Sequence, residues 1–260
     1  KGLALRPEVD QVTLVTRLIQ DRRVSDDYAQ PKEFVAPSAE ILRFSFGPKR
    51  YIRKELLWPY LDELADKLVQ HLINQDHLPD WIHAHYADAG YVGSLVSRRL
   101  GIPLVFTGHS LGREKQRRLL ASGMDYEQIE QNYSISRRIE AEELTLAHSN
   151  LIITSTRQEV DYQYARYGRF ISENSVVISP GVDLNKFYPA FSNSELELVD
   201  GMVNSFLKEP SLPPLLAISR AVRRKNIPAL LEAFGRSSVL RQRHNLILVL
   251  GSRNDTRNLD

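Results

Sequence analysis

Ile102-Pro103-Leu104-Val105-Phe106 runs directly into Thr107-Gly108-His109-Ser110-Leu111-Gly112-Arg113-Glu114-Lys115. The first five residues have the composition of a short buried strand. The next nine make a polar loop with two glycines, a histidine, a serine and a lysine. Ligands of open parallel α/β sheets bind beyond the carboxyl ends of the strands. Position and composition therefore suit a site for an anionic or hydroxylated small molecule. A connecting loop with a solvated Arg113-Glu114-Lys115 tip is the plainer alternative, and this stretch alone does not choose between them.

Working outward, short apolar runs recur at Val12–Val15, Trp81-Ile82, Leu104–Phe106, Leu151–Thr154, Val176–Ile178, Leu215–Ile218 and Leu246–Leu250. Between them Leu61, Leu64, Ala65, Leu68, Leu72 and Ile73 keep the i, i+3, i+4 spacing of an amphipathic helix. A second helix is predicted over Ala89–Leu100, with Gly101 as its cap, and a third around Ile139, Leu144 and Ala147. Thr156 with Glu159 forms a capping box for a fourth, which Gly168 would end. Strands alternating with helices predict parallel β-α-β units covered on both faces. Unusual residues gather where these strands end: His83, His85, Tyr86 and Asp88; the opening loop; Ser155–Glu159; Ser179-Pro180-Gly181; and Ser219-Arg220. That recurrence predicts a ligand-binding edge.

Asn193–Glu209 is predicted as one more helix, and Pro210-Ser211-Leu212-Pro213-Pro214 is the clearest linker. The boundaries expected are a first domain over 1–189, a linker region over 190–214 and the beginning of a second domain over 215–260. Few residues follow the linker against the ~100–150 of an ordinary domain. Both ends read as cuts through a larger fold.

The 42% hydrophobic and 25% charged content is that of a soluble globular protein. A net charge of +2 gives no electrostatic case for a nucleic-acid partner. No apolar run approaches the ~20 residues of a membrane span, so no membrane partner is expected. The absence of cysteine removes disulfides, thiolate metal sites and cysteine nucleophiles, and fits a reducing, cytoplasmic setting. Nothing in the sequence fixes an oligomeric state.

His83 and His85 would share one face of a strand, and a metal site with His109 would need the loops to converge; separate hydrogen-bonded histidines are the favoured reading. Gly108-His109-Ser110-Leu111-Gly112 matches a hydrolase nucleophile elbow letter for letter, but the basic stretch Arg113–Ser122 shows no clear helix start rich in apolar residues. Phosphate binding has independent candidates in Lys115, in Arg137 and Arg138 at the start of the third helix, and in Arg220 and Lys225. The plain alternative for Arg138 is an exposed i,i+4 pair with Glu142 worth about 0.2–0.5 kcal/mol. Asn226 could cap a helix entered through Pro228, whose free amides would favour an anion near Arg220 and Lys225.

Taken together, His83-Ala84-His85-Tyr86-Ala87-Asp88-Ala89-Gly90, Thr107–Lys115, Arg137-Arg138-Ile139-Glu140-Ala141-Glu142-Glu143 and Ser155-Thr156-Arg157-Gln158-Glu159 resemble the sucrose-phosphate synthase family. So do Gly47–Pro59 and Pro180-Gly181-Val182-Asp183, and the blocks keep family order along nearly the whole chain. The resemblance implies an α/β fold of the GT-B type: a near-complete N-terminal Rossmann-like domain and the beginning of a second. It implies a retaining transfer of glucose from a nucleotide-glucose, UDP-glucose above ADP-glucose, to fructose 6-phosphate. Sucrose synthase shares fold and donor but takes free fructose. Its loop here reads alanine–histidine–alanine–leucine–glutamate, against Ser110 and Lys115 in this chain.

By position, the resemblance puts Tyr86, Ser110, Lys115, Arg137 and Arg138, with Lys54 as a weaker candidate, at the acceptor sugar or its phosphate. It puts His109 beside the transferred glucose and Arg220 with Lys225 at the donor diphosphate, so these three are the expected catalytic and donor-binding residues. It requires no cofactor; Mg²⁺ enters at most as an activator bound to substrate phosphates. Ser110 then ceases to be a nucleophile. The family's glycine-rich loop lies before residue 1, its donor glutamate pair lies beyond Asp260, and Ala221-Val222-Arg223 replaces a more usual proline–aspartate. These 260 residues alone are therefore expected to catalyse no transfer; a non-catalytic phosphosugar-binding remnant is the alternative of a different class.

Overall fold

The computed structural model describes residues 2–189, 197 and 200–251. The chain divides into two compact units, Lys1–Gly181 and Val182–Asp260. The first unit holds strands β1 (Val12–Arg17), β2 (Lys32–Ala36), β3 (Ala39–Phe44), β4 (Ile82–His85), β5 (Leu104–Thr107), β6 (Leu151–Thr154) and β7 (Ser175–Val177). Its helices are α1 (Leu61–Ile73), α2 (Tyr86–Leu100), α3 (Gly112–Ala121), α4 (Tyr126–Tyr133), α5 (Ile135–His148) and α6 (Arg157–Tyr162).

Strands β4-β5-β6-β7 form one parallel sheet in that order. β5 is buried along its whole length, as its apolar composition requires. Phe106, Leu104 and Ile152 pack with Leu111, Leu146, Tyr164 and Tyr167 in one core cluster. A second cluster joins α1 to α2 through Leu61, Ala65, Leu68, Val92 and Val96. The apolar periodicity of Leu61–Ile73 thus marks a real helix, and Gly101 closes α2 at φ 72°, a left-handed position that favours glycine.

The other sheet has the order β1-β3-β2, with β1 parallel and β2 antiparallel to β3. The β2-β3 hairpin has no counterpart among the expected strands. Its sequence is charged, yet Glu40 and Arg43 are buried because the hairpin pairs them, Glu40 with Lys32 at 2.7 Å and Arg43 with Glu33. Cross-strand ion pairing hides what reads locally as a solvated stretch.

Three further expectations need correction. Helix α2 begins at Tyr86 rather than Ala89, directly after β4, with Tyr86 at φ 77°. The basic stretch after Gly112 is a helix after all, because buried groups satisfy its first amides. Gly112 N–H donates to both oxygens of Glu142 at 3.1 and 2.8 Å, and Arg113 N–H to the Tyr167 hydroxyl at 3.0 Å. Thr156 caps α6, accepting from Glu159 N–H at 3.2 Å, but α6 stops at Tyr162 and not at Gly168. A short 3-10 turn, Tyr164–Arg166, replaces the helix, and Tyr164 and Tyr167 are buried in the core beside it.

In the second unit β8 (Pro214–Arg220) pairs in parallel with β9 (Asn245–Gly251), in register from Pro214↔Asn245 to Arg220↔Gly251. Helices Ile227–Arg236 and Ser238–Arg243 connect them. Asn226 does sit at the cap position before Pro228, but in a left-handed conformation (φ 51°) and without a side-chain capping bond. The expected helix over Asn193–Glu209 begins, and the expected linker over 190–214 partly falls, outside the described residues.

Candidate functional site

The segment from Lys54 to Trp58, the starts of α2 and α3, the end of α4 and the first turn of α5 surround a shallow open cleft in the first unit. Lys54, Glu55, Trp58, Tyr86, Asp88, Lys115, Tyr133 and Arg138 contribute its lining. Of the residues singled out in the sequence, Lys54, Tyr86, Lys115 and Arg138 therefore meet here. Ser110 adjoins them, since the Arg138 guanidinium donates to its carbonyl oxygen. Arg137 is absent from the lining; its guanidinium lies 5.3 Å from the Tyr91 ring centre and pairs with Glu140 at 3.5 Å.

Arg138 is the anchored cation. Its Nε bonds Glu142 at 2.9 Å, and the two side chains are 7% and 0% exposed. The spacing fits the exposed i,i+4 pair considered for the sequence, but the burial does not. Glu142 also accepts from Gly112 N–H and from the Tyr167 hydroxyl. Burial and the Glu142 charge push the Tyr167 phenol far up, so it stays a donor. One buried carboxylate thus fixes α3, α5 and the following tyrosine at once. A Cβ on Gly112 would stand 2.8 Å from Glu142 Oε2, so the close approach requires glycine.

Lys54 and Lys115 are held differently. Among the described residues neither makes an ion pair with a carboxylate. The Lys115 Nζ lies 3.5 Å from the centre of the Tyr133 ring, and Lys54 Nζ lies 4.4 Å from that of Tyr86. Burial, then the charges of Arg138 and Lys54, lower Lys115 to about 8. Glu55 and Asp88 also face the cleft, but Glu55 is engaged by Arg53 at 3.5 Å. What remains is a graded set of cations, Arg138 buried and held, Lys115 half-buried and Lys54 exposed, and the two lysines keep donors suited to a compact anion.

Beside the cleft, His85 Nδ1 and His109 Nε2 are 2.9 Å apart, and His109 stands at φ 56°. The His85 and His109 rings stack with centres 5.1 Å apart, and His83 lies tilted against His85 at 4.1 Å and bonds Thr107 Oγ1 at 2.9 Å. The loops do converge, then, but through a hydrogen bond and ring stacking. Among the described residues no group of three or more histidine, aspartate or glutamate side chains could hold a metal ion. Partial desolvation and the neighbouring rings keep His83 down at about 4, although part of its surface meets solvent. His85 is lowered by the same causes.

In the second unit Arg220 is the last residue of β8, and Lys225 ends the 3-10 turn Arg223–Lys225. Arg220 keeps the strand-end placement expected of it, whereas Lys225 lies beyond the strand, in the turn that follows. Sequence reasoning missed Trp58 and Tyr133 in the cleft. Trp58 lay within the block Gly47–Pro59 without a role, and Tyr133, at the end of α4, offered no local signal.

The parallel sheet flanked by helices, with cations and histidines at its strand ends, is that of a Rossmann-like domain, and the match to a family model makes it a GT-B glycosyltransferase domain. The chain belongs to the family described as the sucrose synthase first GT-B domain, whose model matches residues 1–192. Among its relatives, the probable sucrose-phosphate synthase 1 of Oryza sativa is 37% identical over 98% of this chain and 29% of the relative. The probable sucrose-phosphate synthase 2 of Arabidopsis thaliana is 36% identical over 98% of the chain and 30% of the relative. The chain therefore spans about three tenths of the length of the curated relatives it matches. Among solved structures, the sucrose-phosphate synthase of Thermosynechococcus elongatus superposes with a TM-score of 0.66 at 24% identity, covering 94% of this chain and 54% of that one. No described helix is long and apolar enough to cross a membrane.

Proposed function

We propose that this chain carries the acceptor side of a retaining glucosyltransferase that joins glucose from a nucleotide-glucose, UDP-glucose first, to fructose 6-phosphate, yielding sucrose 6-phosphate. The observation that carries the reading is the cleft in which Lys115, Lys54 and Arg138 gather while neither lysine makes an ion pair among the described residues. A phosphate monoester suits such a site; unphosphorylated fructose, the acceptor of a sucrose synthase, would leave the partly buried Lys115 ammonium without an anionic partner. The relatives named sucrose-phosphate synthase support the same reading.

In this mechanism Lys115, Lys54 and Arg138 hold the phosphate, with Ser110 and Tyr86 beside the sugar. The fructose hydroxyl attacks the glucose anomeric carbon on the face the nucleotide leaves, the bond from that carbon to the diphosphate breaks and the hydroxyl proton passes to the departing phosphate oxygen, so configuration is retained. Arg220 and Lys225 stabilise the negative charge that grows on the departing diphosphate. His109, oriented by its bond to His85, stands beside the transferred glucose. Arg137 is given no phosphate contact in this scheme. No cofactor is needed, Mg²⁺ serving only as an activator, and the setting is cytoplasmic, in keeping with a chain without cysteine.

The test is Lys115→Ala in the complete protein. Losing a charge-assisted hydrogen bond of about 1.5–3 kcal/mol raises the KM for fructose 6-phosphate by about 10- to 100-fold. The KM for the nucleotide-sugar stays within about twofold. An unchanged response to the sugar phosphate would refute the assignment.

A further inference from the structure

Lys115 is the most desolvated lysine of the cleft, and what it rests on is a ring. Its ammonium lies 3.5 Å from the centre of Tyr133, closer than any other cation–ring contact among the described residues. The negative face of an aromatic ring attracts a cation without cancelling its charge. A carboxylate in that place would also hold the lysine, but would compete with an incoming phosphate for the same donors.

The ring itself is firmly mounted. Tyr133 ends α4, whose first turn is capped by the Asp125 side chain accepting from Gln128 N–H at 2.8 Å. Ser134 follows at φ 45°, and its hydroxyl reaches the Glu55 carbonyl at 3.3 Å. Arg53 donates to the Asn132 carbonyl at 3.1 Å. The segment carrying Lys54 and the α4-α5 junction are thus tied together, and Tyr133 is fixed from both sides.

We propose that Tyr133 is a positioning residue for acceptor recognition: its ring face holds the Lys115 ammonium at the cleft, ready for a sugar phosphate, while leaving its charge and its donors available. This rests on the function proposed above and names a residue which that reading does not use. Tyr133 touches Lys115 and not the reacting atoms, so its effect falls on acceptor affinity and leaves turnover at saturating acceptor alone.

The experiment measures binding of fructose 6-phosphate, with inorganic phosphate as a second probe, by calorimetry on the complete protein. It compares wild type with Tyr133→Phe, Tyr133→Leu and a variant carrying tetrafluorophenylalanine at position 133. Phenylalanine keeps the negative ring face and is expected within about twofold of wild type. Leucine removes the face and is expected to weaken both ligands by about 3- to 30-fold, the range a cation–π contact supports. The fluorinated ring keeps the shape of phenylalanine but withdraws charge from its face, and is expected to fall between the two. That variant keeps the test decisive if leucine impairs folding, because a merely structural ring would not register its electron density. Kinetics are expected to show the loss in KM for fructose 6-phosphate with kcat unchanged.

Equal affinity across the series, or tighter binding by the leucine or fluorinated variant, would overturn the role of Tyr133 while leaving the acceptor site standing. Failure of the wild-type protein to bind either phosphate probe would overturn the acceptor reading itself, and this proposal with it.

Discussion

Glu142→Gln is the most demanding perturbation of the site, because a single carboxylate with no exposed surface holds three partners. It accepts from Arg138 Nε at 2.9 Å, from Gly112 N–H at 3.1 and 2.8 Å and from the Tyr167 hydroxyl. Glutamine preserves the volume but removes the charge, and its amide nitrogen must then face a donor. Arg138, 7% exposed, is left buried without its counter-charge. Breaking a buried pair from one side costs about 3–5 kcal/mol. With about 2–4 °C per kcal/mol for a unit of this size, the midpoint falls by about 6–20 °C. Hydrogen exchange localises the effect: the Gly112 and Arg113 amides at the start of α3 should exchange about two to four orders of magnitude faster. A Glu142→Gln, Arg138→Met cycle should give a coupling above about 1 kcal/mol, since the two groups share one bond. A loss below about 1 kcal/mol, or exchange unchanged at the start of α3, would refute the view that Glu142 fixes this corner of the cleft.

Lys115 yields a prediction of opposite sign for stability. Its pKa is lowered from 10.5 to about 8, so the unfolded chain binds more protons between those values and stability rises as pH increases from about 8 toward 10.5. Below about 8 the full penalty for the buried ammonium is present. Lys115→Met is therefore expected to stabilise the protein by about 1–2 kcal/mol at pH 7, after discounting for solvent screening, while weakening fructose 6-phosphate. Urea unfolding checks the first effect, and a destabilised methionine variant would contradict it. The same lowering predicts that phosphate binding weakens as pH rises through about 8, where the free lysine loses its charge; calorimetry in buffers of different ionisation enthalpy should show proton uptake on binding near that pH. Gly112→Ala brings a Cβ to 2.8 Å from Glu142 Oε2 and 2.9 Å from Ile139, so it is expected to cost about 1–3 kcal/mol in denaturant unfolding despite alanine's better helix propensity.

Much of the scaffold was legible because its signals are local. Apolar period announced α1, Gly101 and the Thr156–Glu159 box announced helix ends, and the run Leu104–Phe106 announced the central strand. The cluster at strand ends was legible too, since parallel topology alone carries those residues to one edge. By itself, then, the sequence determined an alternating α/β chain and named four of the side chains, Lys54, Tyr86, Lys115 and Arg138, that meet in the cleft.

Burial and partnership belonged to the tertiary structure. The i,i+4 spacing of Arg138 and Glu142 says that they touch, but only the packing of α3 and Tyr167 against α5 excludes water from them. Nothing local marks Glu40 and Arg43 for burial, which follows from the hairpin that pairs them with Lys32 and Glu33. Arg137 and Arg138 are neighbours in the chain, yet about 100° of helical rotation separates them, and one lines the cleft while the other does not. Tyr133 comes to Lys115 from a different helix, carried there by the left-handed turn at Ser134. A residue's chemistry is written in its own side chain; the charge and solvent it experiences are set by groups that only the folded chain brings beside it.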